Sequence, residues 1–173
     1  MLGHMRTVVV GTRPPELLAL MTRRRVLGLD MFDEVWNGEY HLNPAPHSRH
    51  GRVDRQVSRA LDPIADQLGL IATSAFNLGV ADNYRVPDGG YLRPPTTDDV
   101  YVPTAAVVVE IISPDDETLD KLPHYAAFGV DEVVVVDCDR HLVRVFRGMA
   151  EVDESAVLGI TADWLEQQIV WPE

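Results

Sequence analysis

The chain has little of several features that define common protein classes. Among its 173 residues Cys138 is the only cysteine, so neither an internal disulfide nor a thiolate metal site can form. No apolar run approaches the roughly 20 residues that span a bilayer. The first residues also lack the charged and apolar regions of a secretory signal. We therefore expect a soluble, cytoplasmic protein that does not enter a membrane.

Basic charge is scarce and unevenly distributed. The chain has 15 lysine and arginine residues against 27 aspartate and glutamate residues, for a net charge of −12. Residues 1–60 carry nine arginines and six acids, whereas residues 61–173 carry six basic and 21 acidic side chains. This acid excess argues against non-specific adhesion to nucleic acid but permits a local basic face. Lysine is the rarest basic residue, since Lys121 is the only one.

The hydrophobic pattern predicts one α/β domain over residues 1–173. A content of 46% hydrophobic and 24% charged residues is typical of a globular chain of this length. The predicted elements are a helix from Thr12 to about Val26, a hairpin at Val35–Tyr40, a helix from His50 to about Leu68, a strand at Leu70–Leu78, a buried strand at Thr104–Ile112, a helix from about Asp116 to Phe128, strands at Glu132–Asp137 and Leu142–Phe146, and a short helix from Thr161. Pro63 should kink or divide the long helix. Together these elements predict a central mixed β-sheet flanked by helices, with an N-terminal helix and a β-hairpin.

Glu110 is unusual because it lies inside the apolar run Val107–Ile112. Burying an ionised carboxylate is costly unless something pairs with it. Two interpretations stay open at this point. In the first, which the local sequence alone favours, the strand is ending and Glu110 points into solvent. In the second, a divalent cation pairs with Glu110, and another carboxylate lies nearby.

Asp88 is the candidate for that second carboxylate. It stands in the segment Val86-Pro87-Asp88-Gly89-Gly90, which is also ordinary turn chemistry without function. An acid that ends one short strand and an acid inside the adjacent buried strand can together hold Mg²⁺ through oxygen ligands. The pattern therefore favours a metal site at Asp88 and Glu110.

Lys121 follows Glu110 by eleven residues, early in the helix that returns from the strand. A lysine is a compact charge that can contact a water molecule or a phosphate, whereas arginine stays protonated and presents a wide planar group. A lysine at that position can point back to the end of the strand. The alternative is an ordinary solvated lysine on the surface of the helix.

The predicted helix from His50 carries arginines on the side opposite its apolar stripe. These are Arg52, Arg55 and Arg59, with Arg49 just before the helix. They are candidates for phosphate contacts, although surface arginines more often serve solubility. His50 projects toward the apolar stripe. It either reaches the site from the start of the helix or is a satisfied core histidine.

These segments together resemble a known family. The residues that carry the resemblance are Pro87-Asp88, Val109-Glu110-Ile111-Ile112-Ser113-Pro114, Lys121 with Tyr125, Gly129-Val130-Asp131-Glu132, Val136-Asp137, the early segment Glu34–Glu39, and Pro44-Ala45-Pro46 followed by His50. Over about residues 30–147 the chain is similar to the Uma2 family, DUF820, which belongs to the PD-(D/E)XK group of restriction-endonuclease-like proteins. The resemblance implies a restriction-endonuclease-like fold.

The resemblance also implies roles for particular residues. Asp88 and Glu110 would be the metal-binding acids, with the carbonyl group of Ile111 as a further ligand. Ile112 occupies the position where the general motif has its lysine, and Uma2 proteins supply that lysine from the following helix, here Lys121. Auxiliary residues would be Glu34, His50 and Glu117.

The activity implied by the resemblance is Mg²⁺-dependent hydrolysis of DNA phosphodiester bonds, with Mn²⁺ as a substitute ion. A homodimer is expected, because cutting both strands needs two sites. The alternatives are a non-catalytic member that keeps the fold as a DNA-end or protein-interaction module, and hydrolysis of another phosphodiester such as RNA or a nucleotide. The acid excess and the displaced lysine favour the non-catalytic alternative.

Overall fold

The computed structural model describes residues 7–9, 14–43, 46–96, 99–112 and 118–172. Within these ranges the helical elements are α1 (Pro15–Val26), α2 (Ser48–Gln67), a 3₁₀ turn (Thr118–Lys121), α3 (Leu122–Ala127) and α4 (Ala162–Glu166). No helix in this part of the chain is long and apolar enough to cross a membrane. Helix α2 is the longest of these helices, and the strands are all short.

The strands of the described ranges form two six-stranded sheets and one two-stranded sheet. The first sheet contains, in spatial order, β1 (Thr7–Val9), β3 (Glu39–Leu42), β2 (Glu34–Trp36), β6 (Asn83–Arg85), β5 (Asn77–Val80) and β8 (Tyr101–Val102). The second contains β12 (Ala150–Val152), β11 (Leu142–Arg147), β10 (Glu132–Asp137), β9 (Val107–Ile112), β7 (Gly89–Leu92) and β4 (Ile71–Ser74). The small sheet pairs β13 (Glu154–Ser155) with β14 (Ile160–Thr161). The mixed α/β fold with an early hairpin is confirmed, while the sequence pattern did not reveal the division into two large sheets.

The centre of the second sheet is the parallel pair β9 and β10, connected through α3. Side chains along a strand alternate between the two faces of its sheet. Val107, Val109 and Ile111 lie in the core cluster that contains the buried face of α2. Val108 lies in the other cluster, together with residues of α3. By this alternation Glu110 belongs to the face that α3 covers.

Helix α2 covers the opposite face of the second sheet. Its buried side chains are Val53, Val57, Leu61 and Ala65, as the apolar stripe predicted. Of the two predicted effects of Pro63, a kink or a division, the division is wrong, because α2 continues through Pro63 to Gln67. Pro63 and Arg59 are both exposed, so water can bind the Arg59 carbonyl group that loses its helical partner.

The segment predicted as one strand from Leu70 to Leu78 forms two strands in different sheets. Strand β4 ends at Ser74 and pairs with β7, whereas β5 starts at Asn77 and pairs with β6. Between them, Phe76 packs against the core cluster on the α3 face. The chain thus leaves the second sheet after Ser74 and enters the first at Asn77.

The helix predicted from Asp116 to Phe128 is shorter than expected. Residues 113–117 lie outside the described part of the chain, the 3₁₀ turn follows, and the regular helix spans only Leu122–Ala127. Its end agrees with the prediction, because Gly129 has a φ of 72°, which glycine adopts without strain.

Candidate active site

Strand pairing brings Asp88 to the strand that carries Glu110. Strands β7 and β9 are antiparallel, with Gly89 opposite Val109. Asp88 directly precedes β7, so it comes level with Glu110. The backbone N–H of Ile111 donates a hydrogen bond of 2.8 Å to Oδ2 of Asp88. The two acids proposed from the sequence therefore lie at one end of the second sheet.

Glu110 is buried, with 2% of its surface exposed, so the interpretation that it points into solvent is wrong. Its Oε1 accepts a hydrogen bond from the Tyr125 hydroxyl group and lies 3.2 Å from Nζ of Lys121 in an ion pair. The same ammonium group donates to Oε2 of Glu110 over 3.5 Å. Burial raises the pKa of Glu110 above its usual range, and the charge of Lys121 offsets part of this rise. The charges of Asp88 and Glu34 raise the pKa further. Such a carboxylate is stabilised by an additional cation.

Lys121 is the last residue of the 3₁₀ turn, and its side chain is nearly buried. Its ammonium group lies 2.9 Å from Oε1 of Glu34 and 3.2 Å from Oε1 of Glu110. The interpretation of Lys121 as a solvated helix lysine is therefore wrong. Tyr125 follows by four residues, the spacing that places two side chains on one helical face. Both reach Glu110.

Glu34 enters the site from β2 of the first sheet and is buried. Its Oε1 also accepts a hydrogen bond of 2.9 Å from the backbone N–H of Val86, and its Oε2 accepts one of 2.6 Å from Nε1 of Trp36. Burial by itself would raise the pKa of Glu34. The charge of Lys121 and these N–H donors outweigh it and hold the pKa below its usual range. Glu34 is thus an ionised partner of Lys121.

His50 lies in the first turn of α2, and its Nε2 forms a hydrogen bond of 2.8 Å with Oδ1 of Asp88. The histidine that the apolar stripe pointed toward the site therefore contacts the carboxylate directly. One helical turn later, burial and the charge of Asp88 raise the pKa of Asp54. The sequence reasoning did not identify Asp54, although its spacing of four residues from His50 was available as a signal.

The predicted arginines fall into two groups. Arg49 contacts other residues of the chain. Its Nη1 lies 2.9 Å from Oδ1 of Asp139, and its Nη2 donates to the carbonyl group of Cys138 over 2.8 Å. The other three, Arg52, Arg55 and Arg59, are exposed along α2 and form no ion pair with the residues that the structure describes. Of the four predicted arginines, these three remain available for a phosphate.

A protein-family model matches most of the chain. Uma2, described as "Putative restriction endonuclease", matches residues 30–167 of the chain. The chain belongs to the Uma2 family. This membership places it among restriction-endonuclease-like nucleases. No curated protein shows significant similarity to it.

A solved structure supports the fold of this Uma2 protein. The chain is similar to the crystal structure of a "putative nuclease belonging to DUF820" from Anabaena variabilis ATCC 29413, with a TM-score of 0.64. The sequences are 17% identical, and the match covers 79% of this chain and 90% of the other. At this identity the likeness establishes a shared fold.

Glu117 and Tyr125 are two further positions of the Uma2 resemblance. Glu117, named from the resemblance as an auxiliary acid, lies outside the described residues. Tyr125 belongs to the motif that carried the resemblance, yet it had no role in the sequence reasoning. Its position four residues after Lys121 was the signal that could have revealed its contact with Glu110.

The donor set of this Uma2 site fits a hard divalent cation. No cluster of three or more histidine, cysteine, aspartate or glutamate side chains in the described ranges has a geometry that could hold a metal ion. Mg²⁺, however, usually binds one or two carboxylates and keeps several water ligands. Asp88 and Glu110 supply two such carboxylates. Burial, and then the charges of Asp88 and Glu34, raise the pKa of Glu110, and a cation beside this carboxylate would offset that effect.

Proposed function

We propose that this Uma2 protein is a Mg²⁺-dependent endonuclease that hydrolyses DNA phosphodiester bonds. The observation that carries the proposal is the meeting of Asp88, Glu110 and Lys121 at one end of the second sheet, in a chain of a nuclease family. A buried carboxylate with a raised pKa beside a second acid is the electrostatic setting of a cation site. Mn²⁺ should substitute, because it accepts the same oxygen ligands.

Asp88, Glu110 and the carbonyl group of Ile111 would hold the metal ion. When bound, Mg²⁺ supplies a Lewis acid that polarises a phosphoryl oxygen and makes water a stronger acid. The backbone N–H of Ile111 already fixes the carboxylate of Asp88 on the same strand. This contact keeps the two proposed carboxylate ligands in register.

The remaining contacts orient the acids and supply positive charge. His50 fixes one oxygen of Asp88, and Tyr125 fixes one oxygen of Glu110. Lys121 places an ammonium group beside Glu110, where it can stabilise negative charge that develops on the scissile phosphate. A preorganised charge in a site that excludes much of the water is worth more than the same charge in bulk solvent.

The exposed face of α2 would contact the DNA backbone. Arg52, Arg55 and Arg59 follow one another at spacings of three and four residues and therefore share one side of the helix. Arg49 would contact a phosphate only by exchanging Asp139 and the carbonyl group of Cys138, which already bind its guanidinium group. A row of three arginines in an acidic protein supports modest, salt-sensitive binding.

We propose a homodimer as the active form, because one site cuts one strand and a double-strand break needs two. Light scattering coupled to size-exclusion chromatography measures this directly. A mass of one chain at assay concentration, together with double-strand cleavage, would contradict the dimer.

Cleavage of a supercoiled plasmid tests the proposed activity. The wild-type protein should nick the plasmid with Mg²⁺ or Mn²⁺ and not with EDTA. Glu110→Gln and Lys121→Met should each reduce the rate by at least about 100-fold, since they remove a proposed ligand and a charge at the reacting phosphate. Glu154→Gln, an exposed acid in β13, is the matched control and should cleave at the wild-type rate.

The substrates in the assay separate the remaining alternatives. Parallel reactions with single-stranded DNA, RNA and nucleotides identify a different phosphodiester if the plasmid stays intact. Cleavage that survives both Glu110→Gln and Lys121→Met would refute the assigned roles. Absence of cleavage of every substrate would favour the non-catalytic interaction module.

A further inference from the structure

Lys121 is shared by two carboxylates that come from different sheets. Glu34 belongs to β2 of the first sheet, whereas Glu110 belongs to β9 of the second. The ammonium group lies 2.9 Å from Oε1 of Glu34, 3.2 Å from Oε1 of Glu110 and 3.5 Å from Oε2 of Glu110. Lys121 therefore sits between a proposed metal ligand and an acid that has no assigned chemical task.

The carboxylate of Glu34 is held in one orientation. The backbone N–H of Val86 donates to Oε1, and Nε1 of Trp36 donates to Oε2. The Trp36 ring is itself fixed, because it stacks on His41 with centroids 4.5 Å apart, and the Arg85 guanidinium carbon lies 4.2 Å from its centroid. Glu34 is thus a rigid acceptor for the ammonium group.

These contacts hold the carboxylate of Glu34 on the lysine side of the site. An ionised carboxylate offers about four lone-pair positions. Three of those of Glu34 are used by Lys121, Val86 and Trp36. Asp88, by contrast, is in contact with Ile111 of β9, on the Glu110 side of the site. Glu34 faces the lysine, and Asp88 faces the strand with the other acid.

The arrangement has an electrostatic consequence for metal loading. A divalent cation on Asp88 and Glu110 would place a second positive charge next to Lys121. Two cations at a separation of a few ångströms in a buried site repel each other strongly. An ammonium group in that situation stays only if another acid compensates its charge. Glu34 is the acid in that position.

We propose that Glu34 is the positioning residue of Lys121 and keeps its ammonium group in the site when a metal ion takes the carboxylate of Glu110. The inference rests on the proposed function, since it assumes that Asp88 and Glu110 bind the metal. Lys121 is shared between the two acids in the metal-free protein and is held chiefly by Glu34 in the loaded protein.

Because the chain has a single lysine, ¹⁵N-lysine labelling gives one side-chain ammonium signal in NMR spectra. In the wild-type protein this signal should shift on titration with Mg²⁺ and remain visible. In Glu34→Gln it should broaden beyond detection as Mg²⁺ is added, because the ammonium group loses the acid that compensates its charge and exchanges with water. The Mg²⁺ affinity, measured by calorimetry, should fall by about 10- to 100-fold.

Three further variants sharpen the test. Asp33→Asn removes the neighbouring buried acid, which contacts Arg24 and Tyr40 instead of the lysine, and should leave both the signal and its Mg²⁺ response unchanged. Trp36→Phe removes one donor to Glu34 and should weaken Mg²⁺ binding in the same direction by a smaller factor. It carries the test if Glu34→Gln does not fold. Glu110→Gln should abolish the Mg²⁺ response.

The outcomes separate this inference from the proposed function. A wild-type signal that never responds to Mg²⁺ or Mn²⁺ would remove the metal site and the proposed function with it. A wild-type response that Glu34→Gln and Trp36→Phe both reproduce, with unchanged affinity, would overturn the role of Glu34 alone. Equal effects of Asp33→Asn and Glu34→Gln would also overturn it, by showing a general structural effect.

Discussion

The hydroxyl group of Tyr125 donates a hydrogen bond to Oε1 of Glu110, and both side chains are buried. One member of the pair is a phenol in the core cluster on the α3 face, and the other is a carboxylate in a strand of valines and isoleucines. A buried acceptor that loses its donor keeps the full cost of its desolvation. The contact therefore stabilises the fold and orients the acid.

Replacing Tyr125 by phenylalanine should lower the free energy of unfolding by about 1–3 kcal/mol, because the ring stays and only the donor is removed. Denaturant unfolding at neutral pH measures the change. Tyr101→Phe is the control, since its hydroxyl group forms no hydrogen bond with the described residues, and it should change stability by less than about 0.5 kcal/mol. Equal stability of Tyr125→Phe and the wild type would show that Lys121 alone satisfies Glu110.

Glu132 predicts a loss of stability in acid. This buried carboxylate accepts hydrogen bonds from Arg147, Ser155 and the backbone N–H groups of Ala156 and Val157. Burial would raise the pKa of Glu132, but these donors outweigh it and lower the pKa below the usual value. A carboxyl group with a depressed folded pKa contributes stability above its unfolded pKa and loses it as pH falls through the folded pKa.

The Glu132→Gln variant isolates this contribution. At pH 7 it should be less stable than the wild type by roughly 1.5–3 kcal/mol, the range for hydrogen bonds to a charged group. Urea unfolding at pH values from about 7 down to about 3 should show the difference shrinking as Glu132 takes up a proton. A difference that stays constant over this range would contradict the lowered pKa.

His124 predicts a second pH effect. Burial lowers the pKa of His124 to about 4, although its hydrogen bond with the carbonyl group of Leu78 acts in the opposite direction. Below about pH 6.5 His124 takes up a proton in the unfolded chain but not in the folded protein. The contribution of His124 to the free energy of unfolding is therefore fully present above that pH and is lost as the pH falls toward 4. The imidazole signals in NMR spectra should stay at their neutral positions down to about pH 5. Titration at the ordinary histidine pKa would contradict this prediction.

Replacing Gly90 or Gly51 by alanine should change the free energy of unfolding in opposite directions. A Cβ atom on Gly90 would lie 2.9 Å from the Val107 carbonyl oxygen, whereas one on Gly51, in exposed α2, meets nothing within 4 Å. Gly90→Ala should destabilise the protein by about 1–3 kcal/mol because β7 must move away from β9. Gly51→Ala should stabilise it by roughly 0.5–1 kcal/mol, the helix preference for alanine. Thermal unfolding compares both, and equal shifts would contradict the tight approach at Gly90.

The arginine row predicts the salt dependence of DNA binding. Changing Arg52, Arg55 and Arg59 together to alanine should weaken binding and reduce the slope of log affinity against log salt by about 0.9 for each phosphate that the variant no longer neutralises. Changing the exposed Arg23 and Arg25 of α1 is the control and should leave the slope unchanged. Fluorescence anisotropy at several salt concentrations measures both. An unchanged slope in the triple variant would place the DNA elsewhere.

Local sequence patterns predicted those features of the fold and of the site that neighbouring residues determine. Asn37-Gly38 predicted the hairpin because its turn needs positive φ angles, and both residues have them. Glu110 and Lys121 were found because an acid in an apolar strand and a solitary lysine are visible without any structure. The contact of Lys121 with Glu34 was not, because it joins the 3₁₀ turn to a strand of the first sheet, and no local period encodes how these two elements pack. The break at Phe76 escaped for the same reason.

Helix α2 carries His50 on its inner side and the three exposed arginines on its outer side. His50 forms a hydrogen bond with Asp88, so the helix joins the candidate active site to the outer surface. With a rise of 1.5 Å per residue, Arg59 stands about 14 Å along the axis from His50. If the arginines hold the DNA backbone, the helix fixes the distance between the bound phosphates and the candidate active site. The cut would then fall at a constant distance from the bound phosphates, whatever the base sequence.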